Sequence, residues 1–378
     1  MNQNPLLELT ALGQSIWLDF IRRGFVEDGE LKKLIDEGGL RGVTSNPTIF
    51  EKAIGSSADY DEAIAALMRR GATPAQILTV LMIEDIQRAA DLFLPLYNRT
   101  HGRDGFVSIE VSPKLAHDGE AALAEARGLW GKVNRPNVMI KIPGTREGAP
   151  VVRELTAEGV NVNVTLLFGL PRYCEIVDAY LGGLEERARR GLPIGRVASV
   201  ASFFLSRIDT LLDPRLAAKG RASDLRGETA IASARLAYQI YKRLFRGPRF
   251  DRLARLGART QRLLWASTST KDPQYSDVKY VEALIAPETI NTLPLETIAA
   301  YRDHGQPEVR IERDLDRAYG VLRELRASGV SLREATQRLE DEGVEKFTAS
   351  FDKLMATLAK KHADLATHPE APRKATGV

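Results

Sequence analysis

The sequence predicts a (β/α)8 barrel with additional helices packed on its outside, and three observations carry that expectation. Eight short runs rich in Val, Ile or Leu, each bounded by Gly, Pro, Ser or Asn, read as buried strands. Amphipathic stretches lie between them, and strand–helix alternation implies parallel strands with right-handed crossovers. A polar residue stands near the C-terminal end of nearly every run, the end at which a barrel gathers its functional side chains. An open doubly wound sheet is the competing architecture, and eight runs fit a closed ring better.

In chain order the runs are SIWLDF (15–20), RGVTS (41–45), FVSIEV (106–111), VMIKI (138–142), NVNVTL (161–166), VASVASF (197–203), RLLWA (262–266) and ETINT (288–292). Helical periodicity covers 30–37, 59–70, 74–97, 120–129, 149–158, 171–190 and 228–245. Thr73 is the expected N-cap of the third of these, with Pro74 in its first turn. The barrel should span 15–295 of a single domain covering 1–378. Segment 213–226 is polar and reads as an insertion after the sixth strand. Segment 308–360 is charged and helical, a C-terminal extension, and 367–378 reads as a flexible tail.

Composition narrows the function. The 378 residues are 44% hydrophobic and 27% charged, and 53 basic against 50 acidic residues leave a formal charge of +3. Such a balance gives no long-range attraction to nucleic acid or an anionic membrane, so neither is an expected partner. A single cysteine, Cys174, excludes an intramolecular disulfide and a cysteine zinc cage. The opening residues lack a basic region followed by an apolar run, and no stretch approaches a membrane span. A cytoplasmic protein is expected, as a monomer or a homodimer. The five histidines, 101, 117, 304, 362 and 368, fall at no strand end with ligand spacing, so no metal and no cofactor is expected.

The polar residues near the strand ends are Asp19, Asn46, Glu110, Lys141, Asn163, Thr165, Ser202 and Ser267. Each alone could be a local cap or turn residue; together they point to one face. Lys141 is the sharpest case. It stands between Ile140 and Ile142, so on a strand it faces opposite to both. The isoleucines suit the helix layer and Lys141 the interior. An ammonium there must find a partner or lose its proton, and a neutral amine attacks carbonyls. A salt-bridged or snorkelling lysine remains the alternative. Glu110 and Asp19 would lie on the same face, where carboxylates can partner the lysine or move protons.

Several segments jointly resemble the transaldolase family: GVTSNPTIF (42–50), SIEVSP (108–113), NVMIKIPGT (137–145), GVNVNVTLLF (159–168), SVASFFLSRID (199–209), WASTSTKDP (265–273) and NTLP (291–294). The extended C-terminus is similar to the longer bacterial branch. The resemblance implies a metal-independent class I aldolase barrel. Such an enzyme moves a dihydroxyacetone unit from sedoheptulose 7-phosphate to glyceraldehyde 3-phosphate, giving erythrose 4-phosphate and fructose 6-phosphate. It further implies Lys141 as the Schiff-base lysine, Asp19 as the proton shuttle, and Glu110 with Thr165 as holders of a catalytic water. Thr44, Asn46, Asn163 and Ser202 would position the substrate, with Arg207 and Ser267 at its phosphate. A second phosphate-binding Arg expected two residues after Ser267 is Ser269 here. Lys271 is the nearby cation, a point charge without the guanidinium fork. A fructose-6-phosphate aldolase and a non-catalytic sugar-phosphate-binding barrel are the other readings.

Overall fold

The computed structural model describes residues 4–218 and 225–367. Eight parallel strands close on themselves in sequence order: β1 (Gln14–Leu18), β2 (Leu40–Val43), β3 (Phe106–Glu110), β4 (Val138–Pro143), β5 (Val162–Leu167), β6 (Ser199–Phe204), β7 (Arg262–Ala266) and β8 (Thr289–Leu293). The ring closes through β8 against β1, in register from Gln14 beside Thr289 to Leu18 beside Leu293. All eight expected runs are strands, and each boundary shifts by no more than a few residues. The chain is therefore a (β/α)8 barrel with further C-terminal helices.

The helices before β3 are α1 (Pro5–Ala11), α2 (Arg23–Glu27), α3 (Glu30–Asp36), α4 (Pro47–Ser56), α5 (Asp61–Arg69) and α6 (Pro74–Arg99). Helix α6 starts as its sequence dictates. Thr73 and Gln76 form a reciprocal capping box, with Pro74 just inside it. From β3 to β6 come α7 (Gly119–Val133), α8 (Gly148–Glu158) and α9 (Leu170–Arg189), and β6 leads into α10 (Ser206–Ala218). Next are α11 (Thr229–Phe245), α12 (Pro248–Ala254), α13 (Lys279–Ala283) and α14 (Leu295–His304). The extension holds α15 (Leu315–Ala327) and α16 (Leu332–Thr367).

Residues 213–218 of the expected insertion continue α10, and 219–224 lie outside the described residues, as does the expected tail beyond Thr367. In the extension, 308–314 is not yet helical. Arg310 is tied there to Glu282 at 2.8 Å and donates its N–H to the Ile285 carbonyl. Helix α15 packs on α11, on the outside of the barrel. Helix α16 runs against α4, α6 and α10, helices that follow the C-terminal ends of β2 and β6.

Inside the ring the side chains form layers. Trp17 is fully buried beside Gly42, where a Cβ would fall 2.6 Å from the indole; only glycine lets β1 and β2 close around that ring. Trp265 is equally buried and Trp130 half-buried, so two of the three tryptophans are core. At the N-terminal end Arg262 reaches Asp104 at 3.0 Å and donates to Ser15 Oγ and the Thr289 carbonyl. Breaking such a buried pair leaves a carboxylate uncompensated. Arg262→Ala should lower unfolding stability by about 3–5 kcal/mol, as measured by urea denaturation. Turnover of the folded fraction should be unchanged, because this end of a barrel carries stability rather than chemistry.

Candidate active site

The C-terminal ends of the strands open into a cavity of about 480 Å³, of a size for a small metabolite. Asp19, Thr44, Asn46, Lys141, Thr165, Ser202, Arg207, Ser267 and Lys271 all line it. Glu110 and Asn163, the other two expected residues, stand behind its wall.

The core of the site comes from strand register. Glu110 of β3 pairs with Lys141 of β4, and Lys141 with Asn163 of β5. Their alternation points all three side chains to the same face, which the flanking Ile140 and Ile142 leave for the helix layer. Lys141 Nζ lies 3.0 Å from Glu110 Oε2 and donates to the Ser45 carbonyl at 2.8 Å. Lys141 is 4% and Glu110 5% exposed, so the ion pair is removed from water. Burial raises the Glu110 carboxyl above its ordinary value; the Lys141 ammonium opposes this and Asp19 adds to it. Both readings of Lys141 thus meet in one geometry: it is salt-bridged, and it faces the cavity.

Asp19 follows β1, its N–H bonded to the Leu293 carbonyl. Its Oδ1 accepts from Thr44 Oγ1 at 2.8 Å, and Thr44 also meets Thr292 Oγ1 at 2.8 Å. Burial raises the Asp19 carboxyl, with Lys141, the Thr44 hydroxyl and Arg207 pulling it back and Glu296 adding to the rise. Asn46 combines two roles that the sequence left as alternatives. Its Oδ1 caps α4 by accepting from Ile49 N–H at 3.0 Å, and its residue still lines the cavity. Asn163 donates to Ser108 Oγ at 3.0 Å and accepts from Ser202 Oγ at 2.7 Å, a chain across three strands beneath the cavity floor.

Thr165 Oγ1 is buried and has no hydrogen-bond partner among the described residues; the same holds for Glu110 Oε1. Beside Thr165 the backbone departs from a regular strand. Leu166 takes φ 61° and the β5–β6 register shifts between Val164 and Leu167. A left-handed, branched, buried residue stores about 1–3 kcal/mol of strain, which the packing around it must hold.

One side of the mouth is cationic. Arg207 stands in the first turn of α10, where helical N–H groups and the macrodipole favour an anion. Its guanidinium lies 5.4 Å from the Phe204 ring and 6.0 Å from the Phe347 ring, and its Nη1 has no hydrogen-bond partner among the described residues. Burial lowers its pKa, with Asp19 and Glu342 opposing. Ser267, at φ 55°, meets Ser206 Oγ at 3.0 Å, and its carbonyl accepts from Ser206 N–H. Lys271 Nζ donates to Ser269 Oγ at 2.7 Å, so the lysine and the serine that replaces the expected arginine form one unit.

Sequence reasoning missed several lining residues. Thr292 holds on β8 the position that Asp19 and Thr44 hold on their strands, and the strand-end pattern could have found it. Thr48 and Lys52 lie two and six residues beyond Asn46, on the first turns of α4. Phe347 comes from α16, and no local signal marks it. His101, His117 and His304 are exposed, and no group of three or more metal-ligating side chains gathers among the described residues. No helix among them is long and apolar enough to cross a membrane.

Comparison with known proteins gives this geometry a family. The family model described as Transaldolase/Fructose-6-phosphate aldolase matches residues 16–358. A transaldolase of Thiobacillus denitrificans is 48% identical over 94% of this chain and 99% of its own. Transaldolases of Saccharopolyspora erythraea and Trichodesmium erythraeum are 47% and 45% identical, each over 96% of this chain and 99% and 98% of their own. The chain belongs to the transaldolase/fructose-6-phosphate aldolase family.

Proposed function

We propose that this chain is a transaldolase that carries a dihydroxyacetone unit as a Schiff base on Lys141, from sedoheptulose 7-phosphate to glyceraldehyde 3-phosphate. The observation that carries the reading is the buried Lys141–Glu110 pair, with Lys141 on the wall of a cavity that Asp19 also lines. Near-full-length similarity to transaldolases supports the reaction class. The work belongs to the non-oxidative pentose phosphate steps, in the cytoplasm, on small sugar phosphates.

The chemistry follows from the placement of protons. Glu110, held above its usual range by burial, accepts a proton from the Lys141 ammonium more readily than a solvated glutamate would. The freed amine adds to the ketose C2 carbonyl. The carbinolamine hydroxyl then leaves as water, taking a proton relayed from Glu110 through a water held by Glu110 and Thr165. Both of those side chains offer a buried polar atom with no hydrogen-bond partner among the described residues. Asp19 removes the proton from the C4 hydroxyl; the C3–C4 bond breaks and its electrons pass into the iminium. The aldehyde departs, and the three-carbon unit stays bound as an enamine. The acceptor aldehyde reverses these steps, with Asp19 returning the proton to the new alkoxide. Thr44, Asn46 and Ser202 hold the ketose hydroxyls, while Asn163 orients Ser202 from below. Arg207, Ser267 and Lys271 take the phosphate.

Borohydride reduction in the presence of fructose 6-phosphate should fix the three-carbon fragment on the peptide carrying Lys141, read by mass spectrometry. An unmodified Lys141 peptide after such treatment would exclude the mechanism. Asp19→Asn should lower kcat by about 10²–10⁴ while the Schiff base stays trappable. Free dihydroxyacetone released from fructose 6-phosphate without acceptor, at the rate of transfer, would favour the aldolase reaction instead.

Asp19 must be ionised to take the C4 hydroxyl proton, and its carboxyl is raised by burial, so activity should fall on the acid side through a pKa above the ordinary 3.8 of aspartate. The Thr44 hydroxyl stabilises the ionised form. Thr44→Val should therefore move that acid limb to higher pH, as a pH profile of kcat/KM would record. An unmoved limb would show that another group sets it.

A further inference from the structure

Beside the phosphate end of the site lies a second cavity of about 520 Å³, which shares Lys271 with the first. Two buried aspartates one helical turn apart on α10, Asp209 and Asp213, face it. Each divides its two oxygens in the same way. Oδ1 of Asp209 accepts from Ala230 N–H at 2.8 Å, in the first turn of α11, and Oδ1 of Asp213 from Gly227 N–H at 3.0 Å, in the turn before it. Oδ2 of Asp209 accepts from the Tyr280 hydroxyl at 2.9 Å, and Oδ2 of Asp213 from the Tyr275 hydroxyl at 2.7 Å. Both tyrosines belong to the segment that follows β7 and carries Ser267, Ser269 and Lys271. Helix α10 carries Arg207.

We infer that Asp209 and Asp213, through Tyr280 and Tyr275, are positioning residues that fix the distance between the two halves of the phosphate-binding end. The inference rests on the assignment of Arg207, Ser267 and Lys271 to the substrate phosphate. Its physical basis is that an open cavity separates the two segments where the clamp spans them. Beyond the direct Ser206–Ser267 contacts at the base, these two hydroxyl–carboxylate bonds tie α10 itself to the stretch beyond Lys271, while Arg226, just before α11, pairs with Asp272 across the same cavity. Hydrogen bonds to charged acceptors are stronger and more directional than neutral ones, so they suit the setting of a distance. Burial raises Asp209 to about 7; the Ala230 N–H, the Tyr280 hydroxyl and Lys279 oppose this, and Asp213 adds to it. A buried carboxylate of this kind is costly to the fold where packing alone would serve.

The test separates positioning from mere stability. In Tyr275→Phe, Tyr280→Phe and the double variant, KM for fructose 6-phosphate and the calorimetric Kd for inorganic phosphate are measured with kcat and Tm. Each lost bond should raise KM and the phosphate Kd by about two- to tenfold, with kcat within about twofold. Borohydride trapping with unphosphorylated fructose should be unchanged, and inorganic phosphate should protect less well against trapping. A fall in Tm with KM and phosphate Kd at wild-type values would overturn the inference, as would an equal loss with fructose and with fructose 6-phosphate. Should the double variant fail to fold, Tyr275→Phe alone, at a half-buried side chain, gives the same readings. Wild-type protein that binds phosphate but shows neither turnover nor trapping would refute the Lys141 mechanism and leave the clamp to be judged by the phosphate Kd alone.

Discussion

The structure depends on keeping an ammonium and a carboxylate together inside a closed ring. Desolvating each ion costs several kcal/mol, which their attraction offsets only in good geometry. The barrel supplies that geometry through its register: β3 and β4 set Glu110 beside Lys141, and the Ser45 carbonyl after β2 accepts from the same ammonium. Three strands thus converge on one nitrogen. A one-residue slip of β4 would turn Lys141 into the helix layer and an isoleucine into the cavity. Closure of the sheet fixes the register, because β8 on β1 leaves no free edge along which a strand could shift.

The interior above and below that pair is polar, and most of the polarity is satisfied within the protein. Arg262, Asp104 and Ser15 close the lower end; Ser108, Asn163 and Ser202 form a bonded chain in the middle; Asp19, Thr44 and Thr292 form another at the rim. Hydrogen bonds among buried side chains hold their members in place. Among the described residues, Glu110 Oε1, Thr165 Oγ1 and Arg207 Nη1 are among the buried atoms without a hydrogen-bond partner, as are Arg262 Nε and Trp17 Nε1 lower in the barrel. The first three belong to the residues to which the proposed chemistry assigns a water and a phosphate. At the cavity, free hydrogen-bonding capacity on fixed side chains is what a preorganised site requires.

Much of this was legible in the sequence because barrel strands, buried on both faces, read as continuous apolar runs, and a charged residue within one is conspicuous. Lys141 between two isoleucines and Glu110 after Ile109 announce themselves in that way. Asn46 could not be assigned to cap or cavity from its position, because one side chain does both. Asn163 takes the face the alternation predicts, and its amide is bonded there to Ser108 and Ser202; alternation tells which face a side chain takes, not how deep it sits. The left-handed Leu166 was not legible either, since leucine carries no local preference for that conformation and only tertiary packing imposes it.

Helix α16 accounts for that packing and for part of the site. Its periodicity says that one face is buried but not against what. In the fold, Gly343 lies where a Cβ would come 3.0 Å from Leu166 Cδ2 and 3.8 Å from Arg207 Nη1, so glycine lets the helix approach the strained turn of β5 and the guanidinium together. One turn further on, Phe347 adds its ring to Phe204 beside Arg207. A cation placed near two aromatic faces is restrained without losing its charge to a carboxylate, which leaves its donors for an incoming anion. The extension beyond the eighth strand therefore helps to wall the cavity. It holds down the irregular backbone beside Thr165 and steadies Arg207, and the barrel alone supplies neither contact.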